Sequence, residues 1–340
     1  MMIIRTIAIA SLVYACTGFG ISQAQIQADS IAAAVPSTYA DLTQFKWMHG
    51  TESCKQDKDP KLQVVQVNAN SYVIRQNKCV TFEAPFIFVL VGQKRALVVD
   101  TGANESPDES PLYAAVLSIL ETQQQSTDPK QILVVHSHSH GDHVKGDSQF
   151  RGMRGVEVVG TSQEALAEQL GLSNWPNKLA TIELGERQVT FIPIPGHQEQ
   201  SIAIYDHQSG WLLTGDSFYP GLIMVKGWQA YKASIERLVS FANDHAVSLV
   251  LGTHIEMNGE THESYSIGTT YQPKELPLAL SLDDLKDLNR RLQQTPKPQK
   301  LEFEDFIVLP MSRFQKMLSN LLSSSAEQKQ KIQAHPINNG

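Results

Sequence analysis

The chain is poor in cysteine. Its 340 residues carry three, Cys16, Cys54 and Cys79, and none adjoins the histidine-rich stretch around residue 140. A zinc–thiolate cluster, which needs closely spaced cysteines, is therefore disfavoured. No Gly-x-Ser-x-Gly segment occurs. That motif presents a nucleophilic serine on a strand–turn–helix, so acyl transfer by this route is excluded. Basic residues are also scarce, with 28 Lys and Arg against 35 Asp and Glu for a net charge of -7. Without a Lys/Arg stripe the chain lacks the electrostatic footprint of a nucleic-acid binder. The longest N-terminal apolar run is stopped by Ser22, Gln23 and Gln25, short of the roughly 20 apolar residues that a membrane span needs. No internal repeat stands out.

What is present is ordinary globular composition. Hydrophobic residues make up 41% and charged residues 19%, enough for a large core in one or two domains. The N-terminus reads as a targeting segment. Arg5 precedes an apolar stretch, and Ser22-Gln23-Ala24 offers a small-x-small cleavage site, the layout of a secretory signal. The expected mature protein starts near Gln25 and is periplasmic or secreted. Val13-Tyr14-Ala15-Cys16 loosely fits a lipoprotein box, so lipidation at Cys16 is the alternative. Cleavage after Ala24 leaves Cys54 and Cys79. In an oxidising compartment two such cysteines pair, the alternative being two separate thiols.

The remaining chain divides by pattern. Residues 25–61 form a leader. Within it, Tyr39 to Gly50 reads as a short helix, and His49 as a packing or surface histidine. Residues 62–272 carry alternating strand and helix signals. Leu62–Val67 and Ser71–Ile74 flank Asn68-Ala69-Asn70 as a hairpin. Phe86–Val91 and Ala96–Val99 are apolar strands, and Pro111–Glu121 has helical spacing. Val156–Val159 is a strand, and Ser162 caps a helix to Leu170. Gly185–Ile194 reads as a hairpin pair, Ile202–Tyr205 and Trp211–Leu213 as strands, Tyr231–Ala242 as an amphipathic helix, and Ser248–Leu251 as a last strand. Beyond, residues 273–340 form a proline-punctuated extension with a charged helix over Ser281–Leu292 and a polar tail.

The chemistry concentrates at residues 131–147. Ile132 to Val135 form a buried strand, and His136, His138, His140, Asp142 and His143 follow at once. Histidine is the commonest metal ligand, with carboxylate as its usual oxygen partner. His138 and His140 alternate along extended backbone and so share one side. Asp142 and His143 fall where the chain turns, facing a second position nearby. Four more elements end apolar runs in the same way: Val98-Val99-Asp100-Thr101-Gly102, Pro195-Gly196-His197, Leu213-Thr214-Gly215-Asp216 and Leu251-Gly252-Thr253-His254.

The His-x-His-x-Asp-His pattern and these four elements, in this order, resemble the metallo-β-lactamase fold superfamily over about residues 70–260. The resemblance implies an α/β fold, a four-layer αβ/βα sandwich. It implies one metal held by His138, His140 and His197, a second held by Asp142, His143 and His254, and Asp216 bridging both. Asp100 would steady the ligand loop, as outer partners of metal ligands do. Asp216 stands where true β-lactamases of the superfamily usually place cysteine or serine, so the likeness is to glyoxalase II and the lactonases. It implies two Zn²⁺ per chain, with iron or manganese left open by ligand type, and an activated water as nucleophile, so Asp142 and Asp216 would serve catalysis through the metals. Glu199 and Gln200 depart from the small or proline residues that many relatives carry after His197.

The expected function is hydrolysis of a small ester, thioester, lactone or amide. The alternatives are a β-lactamase-type hydrolase, a one-metal iron persulfide dioxygenase and a non-catalytic metal-binding protein. Tyr219 and Trp228 are candidates for a substrate pocket, with packing as the competing role. His136 is expected beside the site rather than in it, His207 at an exposed turn. The partner is a small molecule, and the sequence leaves the oligomeric state open.

Overall fold

A computed structural model of the chain describes residues 31–34, 39–123, 130–317 and 319. The expected signal segment, Cys16 and the expected polar tail lie outside the described residues. The first half of the chain runs β1 (Ile31–Ala34), β2 (Leu62–Asn68), β3 (Ser71–Gln76), β4 (Phe86–Val91), β5 (Arg95–Val99), α1 (Leu112–Thr122), β6 (Gln131–Val135), α2 (Gly141–Val144), β7 (Val156–Val158) and α3 (Gln163–Leu170). The second half runs β8 (Ala180–Glu183), β9 (Gln188–Pro193), β10 (Ile202–Asp206), β11 (Trp211–Gly215), β12 (Leu222–Val225), α4 (Trp228–Asp244), β13 (Leu249–Gly252), β14 (Ala279–Leu280), α5 (Leu282–Gln293), β15 (Leu301–Glu302) and β16 (Ile307–Pro310).

Strands β1 to β7 form one sheet in sequence order, and a second has the order β14-β13-β11-β10-β9-β8. The side-chain period of two divides each strand between two layers. In β4, Phe86, Phe88 and Leu90 join a central cluster with Phe191, Ile204 and Leu213 of the second sheet. Ile87 and Val89 face the other way, onto Leu112, Val116 and Ile119 of α1. On the far side, Ala203, Leu212 and Val250 pack beneath Ile235 and Leu238 of α4 and Leu285 and Leu288 of α5. The layers are therefore helix, sheet, sheet, helix, the expected αβ/βα sandwich. Burial of β4 on both faces explains its uninterrupted apolar run.

Three features depart from the sequence pattern. Residues 39–50 form no helix. Trp47 instead packs edge-on between Phe45 and Phe86, at ring-centroid distances of 4.7 and 4.8 Å, and the Met48 amide donates to Gln63 Oε1 at 2.7 Å. These tertiary anchors override local propensity. Within the leader, β1 pairs in parallel with β2. The third feature is a small sheet, β12-β16-β15, which ties the segment after Asp216 to residues beyond 300. Glu275, also beyond the 272 boundary, forms a buried two-pronged ion pair with Arg75 of β3. Helix α5 begins on a capping box between Ser281 and Asp284.

Cys54 and Cys79 form a disulfide with a Cα–Cα distance of 5.2 Å. It fastens the turn before β2 to the loop after β3, where Asn77 Nδ2 also donates to Asp57 Oδ2 at 2.7 Å. Among the described residues, no helix is long and apolar enough to cross a membrane.

Candidate metal centre

Each chemically active loop leaves the end of a buried strand. Strands β5 and β6 run parallel with Val99 opposite Val135, so Asp100 emerges beside His136 and Ser137. Asp100 adopts a left-handed backbone, φ 68°, and is fully buried. Its Oδ1 accepts from the Ser137 amide at 2.7 Å, and its Oδ2 from the Ser137 hydroxyl and His143 Nδ1, both at 2.8 Å. The Thr101 amide donates to the His143 carbonyl at 2.8 Å. One short loop thereby fixes the strand exit, the serine between two histidines and the turn α2. At the end of β11, Gly215 has φ 53°, and a Cβ there would meet Ser137 Cβ at 2.7 Å. Only glycine lets the strand carrying Asp216 pass this close.

Two ligand-like groups result, one of His138, His140, His197 and Asp216, the other of Asp142, His143, Asp216 and His254. In the first, His140 Nδ1 lies 2.9 Å from His138 Nε2 and 3.2 Å from His197 Nε2. Asp216 Oδ2 is 3.7 Å from the former and 3.6 Å from the latter Nε2. In the second, Asp142 Oδ2 is 3.1 Å from His143 Nε2 and 3.2 Å from His254 Nε2. Asp216 Oδ1 lies 3.5 and 3.4 Å from the same two nitrogens. The two oxygens of Asp216 thus serve different groups. All seven residues singled out in the sequence are brought together here, with Asp100 directly behind them.

The outward-facing nitrogens define the inward ones. His197 Nδ1 faces the Met224 carbonyl at 2.8 Å and His254 Nδ1 the Glu83 carbonyl at 3.1 Å. A carbonyl only accepts, so both Nδ1 atoms carry hydrogen and Nε2 is the nitrogen each ring turns inward. Ser137 gives its hydrogen to Asp100, so its oxygen accepts from His138 Nδ1 at 3.1 Å. His143 Nδ1 donates to Asp100, which leaves His143 Nε2 buried without a hydrogen bond and facing two carboxylate oxygens. Lone pairs converging on one another and on carboxylates are repulsive unless a cation or a proton sits among them. The residues therefore fit two cations, and the imidazole and carboxylate donors suit zinc.

Without metal, the electrostatics differ between the groups. Burial, reinforced by the charge of His143, holds His138 well below its usual value, and burial and His197 lower His140 to about 4. Burial lowers His197 as well. These three are neutral at pH 7 and offer lone pairs. At His254 burial acts downward, but Asp216 and Asp142 outweigh it and raise the imidazole to about 9. His143 is raised well above its usual value by Asp142, Asp216 and Asp100 against the same burial. Burial disfavours the charged forms of Asp142 and Asp216. Even so, Asp142 is held well below the carboxylate range by His143 and His254, and Asp216 by His254, His143 and His138.

Tyr219 lies beside the centre, its ring 5.7 Å from that of His254. Its hydroxyl is 2.8 Å from the Leu222 carbonyl and 3.1 Å from Glu256 Oε2. Burial and the charge of Glu256 keep its phenol protonated. Trp228, the first residue of α4, is buried in the core cluster under that helix's inner face, its indole N–H donating to the Thr295 carbonyl at 3.3 Å. His136 Nε2 is 2.7 Å from Asp147 Oδ1 in a buried pair, and Asp147 also accepts from Thr101 and Arg151. His49 faces the Trp47 carbonyl, and exposed His207 faces Thr190. None of these histidines belongs to either group. Glu199, 58% exposed at its side chain, pairs with Lys226 Nζ at 2.7 Å. Glu83 escaped the sequence reading. Burial and the charge of Asp142 raise its carboxyl, and its only sequence signal was its place between Cys79 and the first residue of β4.

Fold and site together define an αβ/βα protein with a histidine- and carboxylate-lined metal centre at the strand ends. The family model described as the metallo-beta-lactamase superfamily matches residues 80–254, and the chain belongs to that superfamily. A chicken (Gallus gallus) protein named acyl-coenzyme A thioesterase MBLAC2 is 28% identical over 229 residues, 55% of this chain and 78% of the relative. A hydroxyacylglutathione hydrolase of Cereibacter sphaeroides (strain ATCC 17025 / ATH 2.4.3) is 32% identical over 123 residues, 35% of this chain and 43% of the relative. A solved metallo-beta-lactamase from Pontibacter korlensis has 18% identity and a TM-score of 0.46, covering 69% of this chain and 100% of that one.

Proposed function

We propose that the protein is a two-metal hydrolase acting on a thioester or a closely related small carbonyl ester. The observation that carries this reading is Asp216, whose Oδ2 faces the first histidine group and whose Oδ1 faces the second. One carboxylate shared in this way suits a pair of adjacent cations. When bound, two such cations supply Lewis-acid polarisation of a carbonyl and lower the pKa of water towards neutrality. The chain's own residues hold that arrangement. His138, His140 and His197 supply neutral donors, Asp142 and Asp216 supply charge, and Asp100 locks His143. No serine or cysteine nucleophile is required. In the overall reaction, water adds its oxygen to the acyl carbon, the carbon–sulfur bond breaks, and the thiol departs with a proton.

The thioester preference rests on the relatives' names, both of which denote hydrolases of acyl groups carried on sulfur. The Cys54–Cys79 disulfide supports an exported protein, since such bonds persist in oxidising compartments.

Zinc-loaded protein should be assayed on acyl-coenzyme A, acylglutathione, lactone, simple ester and β-lactam substrates. Thioester turnover should exceed the rest, vanish with chelator and return with zinc. In a single turnover in heavy-oxygen water, label should appear in the released acid. Trapping an acyl group on a side chain, or chelator-resistant turnover, would overturn the mechanism. Iron at one equivalent with oxygen-dependent persulfide consumption would replace it with the dioxygenase reading.

A further inference from the structure

Four of the five histidines at the centre have an outer partner drawn from within residues 83–224: Ser137 for His138, Asp100 for His143, Met224 for His197 and Glu83 for His254. The fifth, His140, is different. It alone points Nδ1 inward, at 2.9 Å from His138 Nε2 and 3.2 Å from His197 Nε2. Its outward nitrogen, Nε2, lies 3.3 Å from the hydroxyl of Ser319. Ser319 is 179 residues away in sequence and buried. It lies beyond β16, after the turn that the Met311 amide makes to the Val225 carbonyl at 2.8 Å.

A neutral imidazole carries one hydrogen. If His140 is to offer Nδ1 as a lone pair to a cation, the hydrogen must sit on Nε2 and needs an acceptor. Among the described residues, the Ser319 oxygen is the acceptor the structure provides. We infer that Ser319 is a positioning residue for the first metal site: its hydroxyl accepts from His140 Nε2–H and thereby fixes the ring and tautomer that aim Nδ1 inward. The inference rests on the two-metal reading above. It also gives the C-terminal segment a role at the metal centre, because that segment must be docked for His140 to be held. Docking and filling of the first site are then thermodynamically coupled, and each must favour the other to the same extent.

The test is metal affinity, measured on the full chain by competition with a chromophoric chelator using zinc alone. Ser319→Ala should weaken one of the two zinc ions by about 10-fold, the lower end of what loss of an outer partner costs, and leave the other within twofold. Ser319→Thr, which keeps the hydroxyl, should restore parental affinity. Reciprocally, zinc should slow proteolytic clipping of the C-terminal segment in the parent and do so less in Ser319→Ala. Parental affinity for both ions in Ser319→Ala would overturn the inference. So would equal weakening in Ala and Thr variants, which would point to packing rather than to the hydroxyl. A parent chain that binds no zinc would sink the two-metal reading itself, an outcome distinct from parental binding unaffected by the substitution.

Discussion

The Thr253 hydroxyl donates to Asp216 Oδ1, the oxygen turned towards His143 and His254. Thr253 sits at the end of β13 and Asp216 at the end of β11, two strands paired in parallel. Sheet register therefore sets the rotation of the shared carboxylate. Asp216→Ala removes an oxygen from both groups. Bound zinc should fall from two to one or fewer, with turnover reduced by at least about 100-fold. Thr253→Val keeps the shape but frees the carboxylate and should cost about 10-fold in zinc affinity. Elemental analysis with chelator competition measures both. Full zinc content in Asp216→Ala would remove this residue from the ligand set.

Asp100 accepts three hydrogen bonds while fully buried, from the Ser137 amide, the Ser137 hydroxyl and His143 Nδ1. Asp100→Asn replaces one acceptor oxygen with an N–H₂ group facing donors. The expected stability loss is about 1–3 kcal/mol for a buried unsatisfied group. Zinc affinity should drop about 10-fold or more as His143 loses its fixed tautomer. Urea unfolding of metal-free protein and zinc titration separate the two effects. Unchanged values in both would mean that His143 is oriented by packing alone.

The disulfide closes a separation of 25 residues, so its loss should cost about 3 kcal/mol through unfolded-state entropy. Cys79 lies four residues before Glu83, whose carbonyl holds His254. The Cys54→Ser/Cys79→Ser variant should therefore unfold at lower denaturant concentration and bind the second zinc less tightly. A variant with the parental midpoint would show that the turn is held by Asn77 and Asp57 without the cross-link.

Much of this centre was legible because ligand chemistry requires particular residue types at strand ends. His138, His140, Asp142, His143, His197, Asp216 and His254 each follow an apolar run, and periodicity locates such runs well. What stayed hidden is carried by groups without chemical identity in a sequence. The Met224 and Glu83 carbonyls act as backbone, and any residue type provides one. Ser319 is an ordinary serine until the fold brings it to His140. Strands β12, β15 and β16 have four, two and four residues, too short for alternation to register. The helix expected over 39–50 failed because Trp47, Met48 and Gly50 are each held by distant residues, Phe86, Gln63 and Tyr271. Local propensity carries no information about such contacts.

In metal-free protein, burial opposes a charge on His254, but Asp216 and Asp142 outweigh it and raise the imidazole to about 9. Its folded value thus lies above the ordinary 6.5, so its stabilising contribution is complete below pH 6.5 and is lost as pH rises to about 9. Lys78 acts in the opposite sense. Burial and the neighbouring Arg75 lower it from 10.5 to about 8, so stability from this group increases only above pH 8. Between pH 6.5 and 8 His254 therefore contributes a loss on the order of 2 kcal/mol in chelated protein, and His143, raised in the same sense by Asp142, Asp216 and Asp100, adds to it. Zinc needs the same Nε2 lone pair that the proton occupies. Its affinity should therefore rise with pH through this window, and each filled second site should release at least one proton near pH 7.5. Calorimetry in two buffers of different ionisation enthalpy counts those protons. A count of zero, together with a flat stability profile for the chelated protein, would mean that His254 is already neutral and that the two carboxylates do not hold a proton in the place the metal takes.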